Sequence, residues 1–228
     1  MSPIAVVTGG GRGIGRAVAV RLAERGCDVA LLARTAEQIE SAAAEVVALG
    51  RRALAIRCDV ANAGEVSHAC ERIQADLGVP RVVIANAGVV HRALVVDMRE
   101  EDWDQVLGVN LKGTFLLARA LLPAMLEAKR GRIIAVASIS ATLGTPKQSA
   151  YCAAKWGLVG FIKSLAEELR GHGLQAMSVL PGSVDTAMLH GGEFKPVMTP
   201  TEVAGLVAYA ALDAPDGMNG SAIEMFGP

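Results

Sequence analysis

Tyr151 and Lys155 stand four residues apart in a segment, 150–169, whose apolar spacing predicts a helix. Side chains at positions i and i+4 of a helix lie on the same face, so the phenol and the ammonium are expected side by side. A tyrosine hydroxyl can donate a proton to an oxygen, and a nearby positive charge favours the phenolate that takes the proton back. Taken alone, the pair is an ordinary contact between neighbouring side chains of a helix. If other polar groups lie beside it, however, the pair indicates acid and base chemistry at an oxygen.

Ser138 supplies such a group, because it follows the aliphatic run 132–137, which is predicted to be a strand. Open parallel sheets gather their ligand-binding side chains at the carboxyl ends of strands. We therefore expect Ser138 and Tyr151 to be neighbours across a crevice.

A glycine-rich turn, residues 8–15 (Thr-Gly-Gly-Gly-Arg-Gly-Ile-Gly), directly follows the first predicted strand and opens the first predicted helix. In such a turn Gly9 permits the tight bend, Gly13 lets the backbone approach a pyrophosphate, and Gly15 lets the helix pack closely on the sheet. The positive end of the helix dipole then faces the phosphates. Glycine clusters also occur in loops for steric reasons alone, but the strand-turn-helix placement favours dinucleotide binding.

The elements that must position these residues alternate along the chain. Strands are predicted at 4–8, 28–33, 53–58, 82–85, 132–137, 174–180 and 222–226, and helices at 15–24, 36–49, 102–125, 150–169 and 201–212. This alternation indicates an α/β fold with a parallel sheet. The segment 182–200 has no periodicity and is expected to shape a substrate pocket.

The residues after the second strand predict the form of the dinucleotide. A carboxylate at this position accepts from the adenosine ribose of NAD, whereas arginine accommodates the 2′-phosphate of NADP. Here the strand ends Leu-Leu-Ala and Arg34 follows, while Arg12 adds a second cation beside Gly13. We therefore expect NADP(H). The alternative is that Arg34 is a solvated residue at the start of a helix.

The glycine spacing resembles that of the short-chain dehydrogenase/reductase family, and further motifs follow in that family's order. They are Cys58-Asp59-Val60, Asn86-Ala87-Gly88, Val109-Asn110-Leu111, Ser138, Tyr151-Cys-Ala-Ala-Lys155, and Pro181-Gly182 with Thr186. Each motif is common, but the ordered set is specific. The resemblance implies a single-domain Rossmann-type, doubly wound parallel sheet over residues 1–228, with helices on both faces.

The resemblance also implies roles for individual residues. Tyr151 is expected to be the general acid and base, Lys155 to bind the nicotinamide ribose, and Ser138 to hold the substrate oxygen. Asn110, the fourth catalytic residue, is expected to support a water-mediated proton path to the lysine. The expected cofactor-binding set is Gly9, Gly11, Arg12, Gly13, Ile14, Gly15, Arg34, Asp59, Val60, Asn86, Ala87, Gly88, Tyr151, Lys155, Pro181, Gly182, Val184 and Thr186.

The substrate is expected to be a neutral ketone or 3-oxoacyl compound. Trp103 and the run 131–134 resemble those of 3-oxoacyl-thioester reductases and broad carbonyl reductases. The segment after Thr186 is short, and its Gly191-Gly192 pair predicts a small, mobile lid. The candidate pocket residues are Ser140, Gln148 and Met188, with His91, Leu143, Ser183 and Leu189 beside them.

Composition and charge exclude several other classes. The net charge of −1 gives no basic surface for nucleic acid or anionic membranes. The four cysteines and four histidines lack metal-ligand spacing, so no metal is expected. Without a leader or a long uncharged apolar run, the chain is expected in the cytoplasm. The helices at 102–125 and 150–169 carry more apolar surface than one sheet face covers, which predicts a homo-oligomer, either a tetramer or a dimer.

Two alternatives remain open. One is a cofactor-sensing or scaffolding protein that keeps the fold without turnover. Loss of Tyr151 or Lys155 would mark such a protein, and both are present. The other is an epimerase or dehydratase on the same fold, which is expected to have a longer carboxyl-terminal substrate domain than 228 residues supply.

Overall fold

The computed structural model describes residues 2–189 and 195–227. Within these residues seven parallel strands form one sheet with the order β3-β2-β1-β4-β5-β6-β7. The strands are β1 Ile4–Thr8, β2 Asp28–Ala33, β3 Ala53–Arg57, β4 Val82–Ala85, β5 Gly131–Val136, β6 Leu174–Pro181 and β7 Ala222–Met225. The predicted α/β fold and strand count are confirmed, with strand boundaries shifted by one residue at most.

Helices cover both faces of the sheet. They are α1 Gly13–Glu24, α2 Ala36–Ala48, α3 Ala63–Asp76, α4 Glu100–Leu107, α5 Gly113–Ala128, α6 Ser149–Glu168 and α7 Pro200–Leu212. Alternate strand residues point to opposite faces, so Val7 packs in the layer of α1, α2 and α7, and Val6 in the layer of α3, α5 and α6. Small aliphatic side chains fill both layers, as the low aromatic content requires.

The strand order reverses between β1 and β4. The chain runs outward from β1 to β3, returns to β4 beside β1, and then continues to β7 in the opposite direction. Ligands of open α/β sheets bind at such a reversal, beyond the carboxyl ends of the strands. The turn after β1 and the segment after β4 meet at this point.

Two features differ from the sequence prediction. Helix α3 was not predicted; Asn62 caps it by accepting from the backbone N–H groups of Gly64 and Glu65. The helix predicted at 102–125 is interrupted by a π-helical turn, Gly108–Lys112, between α4 and α5.

The continuous helical stretch Glu100–Ala128 has the length and apolar composition of a membrane span. Half of its most apolar 18-residue segment is buried inside the protein, and α5 belongs to the core layer that it shares with α3 and α6 on one face of the sheet. A buried core helix passes the same test of length and composition, so the stretch is weak evidence for a membrane span.

Candidate active site

The glycine-rich turn leaves the amino end of α1 open to an anion. Gly9 and Gly13 have positive φ values of 65° and 52°, which favour glycine. A Cβ atom on Gly15 would collide with the carbonyl oxygen of Gly9, so only glycine allows α1 to pack here. No side chain of the described residues caps α1, and its first turn has no acidic residue. The free N–H groups fit a pyrophosphate.

Polar contacts lock the ends of β1 and β4 together. The Thr8 hydroxyl accepts from the backbone N–H groups of Asn86 and Ala87 at 3.0 and 3.1 Å. The Asn86 amide donates to the carbonyl oxygen of Thr8 at 2.9 Å. Because these bonds join the end of β1 to the segment after β4, the side chains of Thr8 and Asn86 hold this wall of the cleft in place.

Arg12 and Arg34 are exposed and line the same cleft as the glycine turn. Neither forms a hydrogen bond or ion pair with any residue that the structure describes. Their neighbour Arg16, in contrast, is paired with Glu45. Two unpaired guanidinium groups beside an uncapped helix suit a further phosphate group on the cofactor.

Asp59 and Val60 form the cleft wall after β3. One carboxylate oxygen of Asp59 accepts from the backbone N–H of Ala61 at 3.0 Å. The backbone N–H of Asp59 donates to the carboxylate of Glu65 at 2.9 Å. These bonds fix the turn that presents both residues to the cleft.

Ser138, Tyr151 and Lys155 converge at the carboxyl end of β5. Ser138 lies two residues beyond the strand, and the other two lie in the first two turns of α6. Tyr151 is 8% exposed, and the Ser138 side chain lies close enough to its hydroxyl to lower the pKa of the phenol. Lys155 is 3% exposed. The helix spacing and the strand end thus bring these three side chains into one buried cluster.

Burial dominates the electrostatics of this cluster. It raises the pKa of Tyr151 to about 12, although the neighbouring Ser138 hydroxyl acts in the opposite direction. Burial also lowers the pKa of Lys155 to about 7. In the ligand-free site desolvation disfavours the charged forms of both groups. A neutral phenol is a proton donor.

Asn110 lies behind the cleft wall and does not line it. It is 1% exposed and sits in the π-helical turn, a feature often found at functional sites. Its amide donates to the carbonyl oxygens of Val89 and Val106, both at 2.8 Å. Its Oδ1 atom has no hydrogen-bond partner among the described residues and lies next to Gly88. That oxygen fits a water or hydroxyl group.

The segment after β6 closes over the opposite side of the cleft. Gly182 donates from its N–H to the carbonyl oxygen of Met225 at 2.8 Å, and Val184 pairs with Met198. The Thr186 methyl group faces Gly13, and the Met188 methyl group faces Gly88. The loop therefore crosses from the glycine turn to the segment after β4.

The cleft has a volume of about 1080 Å³, at the upper end of the range for ligand-binding cavities, which suits a large ligand. It contains every predicted cofactor residue, together with Ser138, Ser140, Gln148, Ser183, Met188 and Leu189.

Two predicted pocket residues lie elsewhere. His91 turns to Gln105, with 2.6 Å between Nε2 and Oε1, and Leu143 is exposed outside the cleft. Gly191 and Gly192, the predicted lid hinge, fall outside the described residues. Arg92 lines the cleft but was not predicted. Its signal in the sequence is a cation four residues after Gly88, on the segment that follows β4.

Known proteins match this chain along nearly its whole length. The sequence profile of a family described as short chain dehydrogenase matches residues 3–193. A 3-oxoacyl-(acyl-carrier-protein) reductase of Synechocystis sp. is 36% identical over 220 aligned positions, covering 92% of this chain and 89% of the relative. A reductase of the same name from Staphylococcus aureus is 35% identical, with 100% of this chain and 98% of the relative covered.

Solved structures match the fold closely. A short-chain type dehydrogenase/reductase from Mycobacterium marinum has a TM-score of 0.93 at 33% identity, covering 99% of this chain and 94% of that chain. Levodione reductase has a TM-score of 0.92 at 26% identity, with 98% and 95% covered.

Proposed function

The chain belongs to the short-chain dehydrogenase family, and from this premise we propose that it is an NADP(H)-dependent carbonyl reductase. Its substrate is a ketone or 3-oxoacyl compound, and the reverse reaction oxidises the corresponding secondary alcohol. The observation that carries the proposal is the buried cluster of Ser138, Tyr151 and Lys155 beside an open dinucleotide cleft. The relatives named 3-oxoacyl-(acyl-carrier-protein) reductase support the substrate class.

The cleft offers binding groups for each part of the cofactor. The N–H groups at the start of α1 hold the pyrophosphate, and Arg12 and Arg34 hold the 2′-phosphate. Asp59 and Val60 contact the adenine, and the segment 181–186 encloses the nicotinamide. When bound, NADPH supplies the hydride that reaches the carbonyl carbon.

The chain's own residues supply the proton and hold the substrate. Ser138 positions the substrate oxygen, and Tyr151 donates its hydroxyl proton to that oxygen as negative charge develops. A raised pKa keeps the phenol protonated near neutral pH, which favours reduction. Lys155 binds the nicotinamide ribose, and the free Oδ1 of Asn110 accepts from a water on the path that returns a proton to Tyr151.

Assays of NADPH oxidation against ketones, diketones and 3-oxoacyl thioesters test this function. Turnover of at least one compound, with NADPH preferred over NADH, is the expected result. NADPH binding without turnover of any compound would instead support the alternative of a cofactor-sensing or scaffolding protein.

We also propose that the enzyme is a homo-oligomer, a tetramer or a dimer. Phe115 on α5 is 42% exposed and Trp156 on α6 is 54% exposed. Leu107, Leu111 and Phe161 extend this apolar surface into a groove. A second copy that packs α5 and α6 against their own equivalents would bury it.

The remaining proposals concern organisation and location. The described residues share one sheet with two continuous helix layers, which supports a single domain over residues 1–228, with the substrate loop at about 182–200. All four cysteines are unpaired, which suits the reducing cytoplasm.

A further inference from the structure

Arg92 lies at the substrate end of the cleft, on the segment that follows β4. It shares the cleft lining with Ser140, Gln148 and Tyr151. Its positive charge acts on the Tyr151 hydroxyl, whose pKa it lowers. Arg92 and the proposed proton donor therefore face the same cleft.

Contacts from two loops hold Arg92 in this position. Its Nη2 atom donates to the carbonyl oxygen of Met188 at 2.9 Å. The N–H of the next residue, Ala93, donates to the carbonyl oxygen of Lys147 at 2.9 Å. The side chain is thus fixed between the loop after β6 and the loop before α6, so little conformational entropy remains to be lost on binding a ligand.

One donor of this fixed group has no acceptor. The Nε atom of Arg92 is buried and has no hydrogen-bond partner in 2–189 or 195–227, and no carboxylate in those ranges pairs with the guanidinium. Other arginines are paired: Arg25 with Asp213, Arg99 with Asp102, and Arg170 with Glu167. A buried donor without an acceptor is costly, and a ligand oxygen would remove that cost.

A latch between Arg92 and the loop at Met188 is the structural alternative. It accounts for the bond from Nη2, but it leaves the buried Nε and the uncompensated charge in the cleft unexplained. An oxygen on the substrate supplies the acceptor that Nε lacks, and its partial negative charge faces the guanidinium group.

We propose that Arg92 selects the substrate by binding a second carbonyl oxygen, which one methylene carbon separates from the carbonyl that is reduced. Ser138 and Tyr151 hold the reacting carbonyl oxygen, and Arg92 donates to the acyl carbonyl oxygen. The site accordingly takes 3-oxoacyl esters and thioesters in preference to simple ketones. This inference rests on the proposed reductase function and specifies its substrate class.

The test compares ethyl 3-oxobutanoate with heptan-2-one, which has the same chain length but lacks the ester group. Wild type, Arg92→Ala, Arg92→Lys and the control Arg170→Ala are assayed with NADPH, and NADPH affinity is measured by fluorescence to verify the folded site. Arg92→Ala should lower kcat/KM for the oxoester about 10- to 100-fold, mainly through KM, the scale of a lost charged hydrogen bond. Reduction of heptan-2-one should change by less than about threefold, because no interaction of that ketone is lost.

The variants separate recognition from other effects. Arg92→Lys should be intermediate on the oxoester, because it keeps the charge but loses the planar fork. Arg170→Ala should leave both reactions unchanged, because Arg170 lies outside the cleft lining.

Equal losses on both substrates would mean that Arg92 acts through Tyr151 or the loop, and would overturn substrate selection while leaving the reductase function intact. Unchanged kinetics of Arg92→Ala would overturn it equally. A wild-type protein that binds NADPH but reduces no carbonyl compound would overturn the reductase function and this inference together.

Discussion

Lys155 reaches from α6 to the end of β5, where its Nζ atom donates to the carbonyl oxygen of Val136 at 2.9 Å. The same atom lies 5.5 Å from the centre of the Tyr151 ring. The amine is thus held beside the phenol by a strand on one side and its own helix on the other. A backbone carbonyl can accept from either form of the amine, so this contact leaves the lysine free to titrate.

The stability of the ligand-free protein should depend on this titration. Lys155 is neutral in the folded protein above about pH 7, whereas its unperturbed pKa is 10.5. Between pH 7 and pH 10.5 the unfolded chain binds more protons than the folded protein, so the free energy of unfolding rises with pH. We expect the Tm to rise by roughly 5 °C or more from pH 7 to pH 9, and Lys155→Met to flatten this rise. A thermal scan across pH gives the measurement, and identical slopes for both proteins would contradict the buried titration.

Tyr151→Phe should lower kcat by roughly 100-fold or more, because the phenol is the proposed proton donor. NADPH affinity should stay within about threefold, since the ring is retained. Steady-state kinetics and fluorescence titration measure the two effects. Tyr209→Phe is the matched control, because the second tyrosine is 41% exposed on α7 and lies outside the cleft. A Tyr151→Phe enzyme with most of the wild-type rate would refute the mechanism.

Cofactor preference should depend on the two unpaired arginines. NADPH should bind about tenfold or more tightly than NADH, the scale of a charged hydrogen bond to phosphate. Arg34→Asp should reverse or abolish the preference, because a carboxylate repels the 2′-phosphate and accepts from a ribose hydroxyl. Arg72→Asp on α3 is the charge-matched control. Equal affinities in wild type, or a persistent NADPH preference in Arg34→Asp, would exclude the assignment.

The oligomer should depend on the apolar groove of α5 and α6. Phe115→Glu places a charge in the proposed contact and should shift the mass measured by light scattering toward that of one chain. Val47→Glu, at a residue on α2 that is 58% exposed, should leave the mass unchanged. A wild-type mass of one chain at every concentration would show that the groove is not an interface.

The sequence predicted the fold well where local pattern and tertiary packing agree. Residues 4–7 and 82–85 are uniformly apolar and buried, and strands form at the predicted bounds 4–8 and 82–85 because central parallel strands are covered on both faces. The ordered motifs likewise indicated the family, and the comparisons confirm it. Helix α3 was missed because its polar residues outnumber a narrow apolar stripe, although the Asn62 cap marks its start.

Side-chain direction and desolvation could not be predicted in the same way. His91 and Arg92 are adjacent, yet His91 turns to α4 and Arg92 turns into the cleft, a choice set by the path of the chain after β4. The raised pKa of Tyr151 and the lowered pKa of Lys155 depend on how completely the surrounding elements exclude water. Neither quantity is contained in residue spacing.

The π-helical turn at Gly108–Lys112 makes the length of this segment as important as its composition. One extra residue in a helical turn rotates everything beyond it by about 100° relative to an uninterrupted helix. Deleting one residue here would restore regular winding, but it would turn the apolar side of α5 away from the sheet or the Asn110 amide away from Val89. A single-residue deletion in this segment would therefore force the helix to give up either the packing of α5 or the contact between Asn110 and Val89.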